Sequence, residues 1–313
     1  KEMKDYVMFS FELYKNNQYW IPPIIAEELE TFDKTKNPAL QTAEAHFYLA
    51  YKDNKIVGKI AAIINWEEVN LLGKRKARFG WFDAIDDIEV TKALLDKVEE
   101  LGRKHNMDHM EGPMGFSNLD KVGILSEGFD QMGNMITWYS LPYYITHFEQ
   151  LGFIKEKEYT ESDFSFNGIN PEPFQKASEL IKKRYELRSL NFTKTKDIMP
   201  YVDKMFDLFN ETYAKLQSFV PINDIQKAYF KKKYISFINP EFIKFIVDKN
   251  DNMIAFAIVM PGFAQALKKA NGKLFPFGFY HLLQARKHSK EVVFYLIGIT
   301  PEYQSKGVTA IVF

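Results

Sequence analysis

The last stretch of the 313-residue chain, Val292 to Phe313, constrains its fold most strongly. It opens with a run of β-branched and aromatic residues, which is typical of a strand buried on both faces. The run ends at Thr300-Pro301, a polar loop with a central glycine follows, and an apolar pattern resumes at Val308. This order directs several backbone N–H groups toward one point and suits a phosphate. It also fits an ordinary strand-to-helix connection.

The residues of this loop favour an anion. Gly307 allows a ligand to approach the backbone closely. Gln304, Ser305 and Lys306 add hydrogen-bond donors and no negative charge. The loop therefore predicts a phosphate-binding turn inside an α/β fold.

The segment from Ile299 to Thr309, ITPEYQSKGVT, resembles the acyl-CoA pyrophosphate loop of the GNAT superfamily of N-acyltransferases. That pattern is a hydrophobic strand, then x-Pro-x-Tyr, then Gln/Arg-x-x-Gly-x-Gly/Ala. Gln304 and Gly307 match the motif, whereas Thr309 stands where Gly or Ala is usual. The wider chain also resembles bacterial tandem-GNAT proteins of uncharacterised function.

The resemblance implies a site and a reaction. Acetyl-CoA, or another acyl-CoA, would be the co-substrate, and its acyl group would pass to an amine on a small molecule or peptide. A backbone N–H near the end of the strand would hold the thioester carbonyl. The residues expected to bind the cofactor are Ile297, Ile299, Gln304, Ser305, Lys306, Gly307, Val308 and Thr309. No catalytic acid or base is identified from the sequence.

The chain is long for one domain, and the order of its elements repeats. Residues 45–65 predict a hairpin followed by a strand and a helix, and 242–260 predict a second hairpin before the closing strand. The resemblance implies two tandem GNAT-like domains of mixed α/β structure, at 1–166 and 174–313, joined by a linker at 167–173. A GNAT domain has a further strand, helix and strand after the loop, so we expect the native chain to continue past Phe313.

The first domain is expected to be a degenerate acyltransferase domain. The segment of this domain that corresponds to the pyrophosphate loop, Asp83 to Val90, contains four acidic residues and no glycine. Carboxylates at a helix N-terminus repel a diphosphate. Phe148 stands where the family often has the tyrosine that protonates the leaving thiolate. At the start of the chain, alternating apolar residues from Tyr6 to Tyr14 predict a strand.

Composition excludes several classes of function. With 41 basic and 41 acidic residues the net charge is zero, so neither a nucleic acid nor a membrane is an expected partner. The absence of cysteine excludes disulfides and Cys-ligated zinc, and no metal site is predicted. No apolar run approaches the length of a membrane span, and no signal peptide opens the chain, so we expect a cytoplasmic protein. The oligomeric state is not predicted.

Two other functions remain open at this point. Both domains could have lost catalysis and form a binding module, which Thr309 and the acidic first loop favour. Alternatively, the chain could be an aminoacyl or peptidyl transferase that uses another donor, such as aminoacyl-tRNA, although the zero net charge argues against a tRNA partner.

Overall fold

The computed structural model describes residues 1–117, 119–216, 218–235 and 238–312, and it shows a mixed α/β chain with two four-stranded sheets. Two compact units contain these sheets. The first unit consists of Lys1–Ile154 together with Gly262–Ser289, and the second consists of Lys155–Pro261 together with the chain from Lys290 onward. The mixed α/β class predicted from the sequence is confirmed, whereas the boundaries at 166 and 174 stay a prediction.

The N-terminal part of the first unit alternates helices and strands. In chain order its elements are α1 Glu2–Leu13, α2 Ile25–Thr31, α3 Ala39–Thr42, β1 Ala43–Lys52, β2 Lys55–Asn65, α4 Trp66–Leu72, β3 Lys76–Ala84, α5 Ile88–Lys104, β4 His109–Glu111 and α6 Tyr143–Gln150.

The sheet of the first unit has the order β1-β2-β3-β4, with antiparallel pairing except between β3 and β4, which are parallel. The hairpin predicted at 45–65 is confirmed. Asp53 and Asn54 form its turn with φ values of 50° and 61°, the left-handed conformation that two-residue hairpin turns require. Residues on the two faces of this sheet belong to separate apolar clusters.

Helix α5 covers one face of the sheet. Its buried residues recur at helical spacing, as the sequence predicted, and include Val90, Leu94 and Val98. They pack against Ile60, Phe79 and other strand residues in one cluster. The predicted cap is also confirmed, because the Asp87 carboxylate accepts a hydrogen bond from the Glu89 N–H at the start of the helix.

Helix α1 corrects the strand predicted for Tyr6–Tyr14. The alternating apolar residues suggested an extended segment, but the residues that become buried include Tyr6, Val7 and Ser10, which share one face of a helix. They pack on the sheet face opposite α5, beside Ala61 and Trp81. A short alternating apolar pattern is compatible with a strand and with a helix, and here packing against the sheet favours the helix.

The second unit begins with a segment, Lys155 to Asn170, that has no regular structure. The elements that follow it are α7 Glu172–Tyr185, β5 Arg188–Asn191, α8 Thr195–Tyr213, α9 Asp224–Phe230, β6 Ile243–Val247, β7 Met253–Pro261, then α10 Ala264–Ala270, α11 Gly278–His288, β8 Val292–Ile299 and α12 Thr309–Val312. The second sheet is antiparallel throughout, in the order β5-β6-β7-β8. Both the hairpin predicted at 242–260 and the strand predicted from Val292 are confirmed.

Helices α10 and α11 lie between β7 and β8 in the sequence but belong to the first unit. Phe263, Ala266 and Leu282 pack there with Ile24 in a separate apolar cluster. The N–H of Ile25 donates to the carbonyl of Gly272 at 2.9 Å. This packing fixes the segment 262–289 on the N-terminal helices of the first unit.

Candidate functional site

The candidate site lies in the second unit, at the outer edge of β8 and in the loop after it. In the described part of the chain, β8 ends its sheet, with β7 on one side and no strand on the other. The N–H of Thr300 donates to the Ile254 carbonyl at 2.9 Å, and Ile299 lies opposite Ala255. Successive strand residues direct their N–H groups to opposite edges, so those of Ile297 and Ile299 point to the open edge.

Two side chains contact carbonyl groups along this open edge. The hydroxyl of Tyr213, at the end of α8, donates to the Ile297 carbonyl at 3.0 Å. The Gln304 side chain donates from Nε2 to the Ile299 carbonyl at 3.1 Å. Burial raises the pKa of Tyr213, so its hydroxyl keeps its proton and remains a donor at neutral pH. The carbonyl groups of the edge are therefore satisfied within the protein.

The loop after β8 offers free backbone donors. Over the residues that the structure describes, the N–H groups of Ser305, Gly307 and Val308 donate to no carbonyl or side chain. Gly307 has a φ of 74°, in the left-handed region. Unpaired N–H groups beside a left-handed glycine are the elements of backbone anion-binding nests.

Packing against α7 holds the loop in this conformation. The Val308 side chain is fully buried and belongs to an apolar cluster with Ile311, against which Ile181 packs. A Cβ atom added to Gly307 would lie 3.3 Å from Cδ1 of Ile181. Both its φ and its close neighbour therefore favour glycine at this position.

Lys306 is held on the surface of the loop. Its Nζ lies 2.8 Å from Oε1 of Glu302 and 4.1 Å from the centroid of the Tyr303 ring. The hydrogen bond that Lys306 donates to Glu302 raises the pKa of Lys306. Lys306 is thus a cation at neutral pH that already balances the one carboxylate of the loop. It would have to leave Glu302 to reach a bound phosphate.

The structure brings the eight predicted cofactor-binding residues together on one strand end and one loop. Gln304, Ser305 and Thr309 are exposed, so their side chains are accessible to a ligand. Ile299 and Val308 are buried and can contribute only backbone groups. Their role in binding a cofactor stays a prediction.

The equivalent connection in the first unit is occupied by the protein itself. The Asp83 carboxylate accepts hydrogen bonds from Ser10 Oγ at 2.6 Å and from the Tyr14 hydroxyl at 2.8 Å. Nζ of Lys59 lies 3.5 Å from the same carboxylate, and both side chains are buried. Burial, and next the charge of Asp83, raise the pKa of Tyr14. These groups satisfy one another.

Backbone groups at the end of β3 are also occupied. The Ala84 N–H donates to the Tyr144 hydroxyl at 2.9 Å, and the Tyr143 hydroxyl donates to the Ala84 carbonyl at 2.7 Å. At the helix start that follows, Asp87 fills the cap position and pairs with Lys52 at 2.8 Å. This connection has no left-handed glycine and carries carboxylates at the helix start, which disfavour an anion, although the degeneracy of the first domain stays a prediction.

A Thr–His–Asp chain in the first unit resembles a catalytic arrangement but is enclosed. Nδ1 of His147 lies 2.8 Å from Oγ1 of Thr91, and Nε2 lies 3.1 Å from Oδ1 of Asp86. Thr91 has no exposed surface. A nucleophile must be able to reach its substrate, and Thr91 cannot. We therefore assign the Thr91–His147–Asp86 hydrogen bonds to the packing of α5 against α6.

Two other features, a metal-binding cluster and a membrane-spanning helix, are absent from the described ranges. No cluster of three or more His, Cys, Asp or Glu side chains there could hold a metal ion. Nor does any helix in those ranges combine the length and the apolar character that crossing a bilayer requires.

The sequence did not reveal two residues that shape the site. Tyr213 contacts a strand residue 84 positions away, and Ile181 sets the space beside Gly307 from another helix. Neither belongs to a motif, and only the folded chain brings them to β8 and its loop. Ile181 lies in α7 and Tyr213 ends α8, and no local pattern in either helix indicates these neighbours.

Two curated proteins are similar to the chain over nearly its whole length. Protein YghO of Escherichia coli (strain K12) is 27% identical over 318 residues, which span 99% of this chain and 79% of that protein. A bacterial ceramide synthase of Caulobacter vibrioides (strain NA1000 / CB15N) is 24% identical over 309 residues, which span 97% of this chain and 79% of that protein. No family model matches the chain.

Solved structures similar to the chain have low sequence identity. A tandem GNAT protein from the clavulanic acid biosynthesis pathway is 10% identical, with a TM-score of 0.46 and coverage of 99% of this chain and 78% of its own. A probable acetyltransferase is 12% identical, with a TM-score of 0.30 and coverage of 54% of this chain and 92% of its own. A tandem GNAT protein and a probable acetyltransferase are thus among the solved structures that are similar to this chain.

Proposed function

We propose that the chain is an acyl-CoA-dependent N-acyltransferase whose second unit holds the pyrophosphate of the donor. The loop after β8 carries this proposal, because it combines unpaired N–H groups at Ser305, Gly307 and Val308 with a left-handed glycine and a half-buried lysine. This is the chemistry that a diphosphate needs. The motif resemblance between Ile299 and Thr309 supports the same assignment.

The open edge of β8 gives the reacting thioester a place. In the proposed mechanism the N–H of Ile299, directed to that edge, donates to the thioester carbonyl oxygen and stabilises the negative charge that develops there. A neutral amine attacks the carbonyl carbon, so a C–N bond forms while the C–S bond breaks. The amine loses a proton and the thiolate of CoA gains one. Tyr213 and Gln304 hold the strand edge by its carbonyl groups, which keeps the N–H groups available.

A long acyl chain is our preferred donor over acetyl. The relative named a bacterial ceramide synthase aligns with 97% of this chain. Ceramide is the amide of a fatty acid and a long-chain amino alcohol, so making it is an N-acyl transfer of the type proposed here. We therefore include a long-chain amino alcohol among the acceptors to be tested, beside small-molecule and peptide amines.

Calorimetric titration of the whole chain with acetyl-CoA and palmitoyl-CoA tests the donor site. We expect binding by at least one of them, and loss of that binding in Gly307→Asp. One added carboxylate at about 5 Å from a phosphate charge costs about 3 kcal/mol at an effective dielectric constant of 20, or about a hundredfold in affinity. Gly168→Asp is the matched control, since Gly168 also has a positive φ, of 80°, but lies in open space.

The outcome separates the proposal from its alternatives. Binding that is equal in Gly307→Asp and Gly168→Asp would remove the loop from the site. Binding of neither acyl-CoA at millimolar concentration would refute the enzyme proposed here. Turnover is then measured as release of free CoA thiol with each class of amine. Tight donor binding without thiol release on any amine would favour the non-catalytic binding module.

A further inference from the structure

The helical segment 262–289 presents large apolar side chains to solvent. We define the aromatic patch as the exposed apolar residues of α11 and the turn before it. Their exposed fractions range from 42% to 76%, and the residues are Phe275, Phe277, Phe279, Tyr280 and Leu283. These residues lie within nine positions of one another. Apolar groups that stay exposed in one place mark a surface with a partner.

The patch is separate from the apolar face that anchors the segment. Leu282 of α11 and Ala266 and Ala270 of α10 are buried with Ile24. The turn is fixed as well, because the Gly272 carbonyl accepts from the Ile25 N–H. The segment thus buries part of its apolar residues in the first unit and leaves the aromatic patch exposed.

The charged residues of the segment that carries the patch all have one sign. Between Gly262 and Ser289 the sequence has no aspartate or glutamate, in a chain whose acidic and basic residues are equal in number. The basic residues of the segment are Lys268, Lys269, Lys273, Arg286 and Lys287. Lys273 and Lys287 are exposed, on either side of the patch in sequence. A partner for this surface must therefore be anionic as well as apolar.

We propose that the aromatic patch is an interfacial docking surface for an anionic lipid membrane. Aromatic side chains enter the boundary between headgroups and acyl chains, and lysines around them pair with anionic headgroups. The surface requires no membrane-spanning helix. The proposal goes beyond the acyl transfer assigned to the second unit, since it rests on residues of the first unit alone. A chain of zero net charge can still present a local positive charge to lipid, because this segment has five basic residues and no acidic one.

Flotation of the whole chain with vesicles tests this docking surface. We expect the chain to float with vesicles of phosphatidylglycerol and phosphatidylcholine in equal parts, and much less with phosphatidylcholine alone. Lys273→Glu combined with Lys287→Glu should lower the partition coefficient at least about tenfold, since each basic residue near an anionic surface contributes measurably. Phe275→Ala combined with Phe277→Ala should lower it by a similar factor on the same vesicles.

Matched controls use side chains of the same kind elsewhere. Phe174 is 58% exposed and lies in the second unit, so Phe174→Ala should leave flotation unchanged. Lys34→Glu changes the same type of charge at an exposed position outside the segment. Circular dichroism verifies that each variant is folded, which these exposed positions should permit.

Three results would overturn the proposal. The first is equal flotation of the patch variants and the controls. The second is the absence of flotation with the anionic vesicles. The third is a patch-dependent dimer on gel filtration without vesicle binding, which would identify a second copy of the chain as the partner. None of these results depends on acyl-CoA binding, so they leave the proposed function to its own test.

Discussion

The buried pair of Lys59 and Asp83 allows a quantitative test of the first unit. Replacing Asp83 with Asn keeps the shape of the side chain but removes the charge facing Lys59. Of the two hydroxyl groups that donate to the carboxylate, those of Ser10 and Tyr14, one can still donate to the amide oxygen and the other can accept from the amide nitrogen. Over the described residues, Lys59 has no other ion pair, and its side chain is only 4% exposed. The variant therefore leaves a cation buried without a counter-charge.

The expected cost follows from the distance between the charges. Two unit charges 3.5 Å apart at an effective dielectric constant of 20 attract by about 5 kcal/mol. Measured losses on breaking one side of a buried pair are about 3–5 kcal/mol. We therefore expect Asp83→Asn to lower the free energy of unfolding of the first unit by about 4 kcal/mol.

Tryptophan fluorescence gives a selective assay for this unit. All four tryptophans of the chain, Trp20, Trp66, Trp81 and Trp138, belong to it. Urea unfolding followed by fluorescence should therefore report the first unit within the whole protein. With a slope of about 2 kcal/mol per molar urea, the loss moves the midpoint down by about 2 M.

A second lysine–aspartate pair is the matched control. Lys52 lies closer to its partner, 2.8 Å from Asp87, but its side chain is 60% exposed. Solvent screens such a pair, so Lys52→Met should leave the urea midpoint almost unchanged. The double variant Lys59→Met with Asp83→Asn should regain part of the stability that Asp83→Asn loses. A similar small shift for Asp83→Asn and Lys52→Met would refute the reasoning from burial.

Three further predictions concern other parts of the structure. Tyr213→Phe removes one hydrogen bond to the β8 edge, worth about 1 kcal/mol, and should lower the melting temperature of the second unit by about 4 °C in calorimetry; an unchanged melting temperature would contradict that contact. Gly272→Ala places a Cβ 2.7 Å from the Phe11 ring at a φ of 78°, and it should destabilise the first unit by about 1–3 kcal/mol. Gly152→Ala is the control, because Gly152 has a similar φ but no atom near the added Cβ. Its effect measures the backbone strain alone, and the difference between the two variants measures the steric clash. The hydrogen bond with His46, and after it that with His105, lower the pKa of Glu44 from 4.5 to about 2. The ionised Glu44 therefore stabilises the folded protein fully above pH 4.5, and this contribution disappears as the pH falls toward 2. Urea midpoints measured at several pH values should show the stability difference between wild type and Glu44→Gln shrinking over that range.

Local sequence signals predicted the elements that depend on neighbouring residues. The two hairpins, the Asp87 cap of α5 and the strand from Val292 follow from turn residues and apolar periods, and the structure confirms them. The loop at Gln304–Gly307 was also recognisable, because a motif is local by definition. Its left-handed glycine fits the role that the sequence assigned to it.

Features that depend on distant contacts were not predictable from the sequence. Helix α1 carries a short alternating pattern, and only packing on Ala61 and Trp81 decides between strand and helix. The contact from Tyr213 to β8 spans 84 residues. The net charge of zero is a sum over the whole chain, so it does not reveal that residues 262–289 contain basic residues and no acidic ones.

The placement of residues 262–289 has a consequence for synthesis on the ribosome. The first unit is interrupted in the sequence, and all of Lys155–Pro261 is translated before its last two helices appear. Until then, Ile24 lacks the apolar partners that cover it in the finished protein. The nascent N-terminal part therefore keeps an apolar surface exposed until residues 262–289 are synthesised. Such a partly folded chain is prone to aggregation and can be bound by chaperones. Polypeptides released early, before Gly262, would remain in that state permanently.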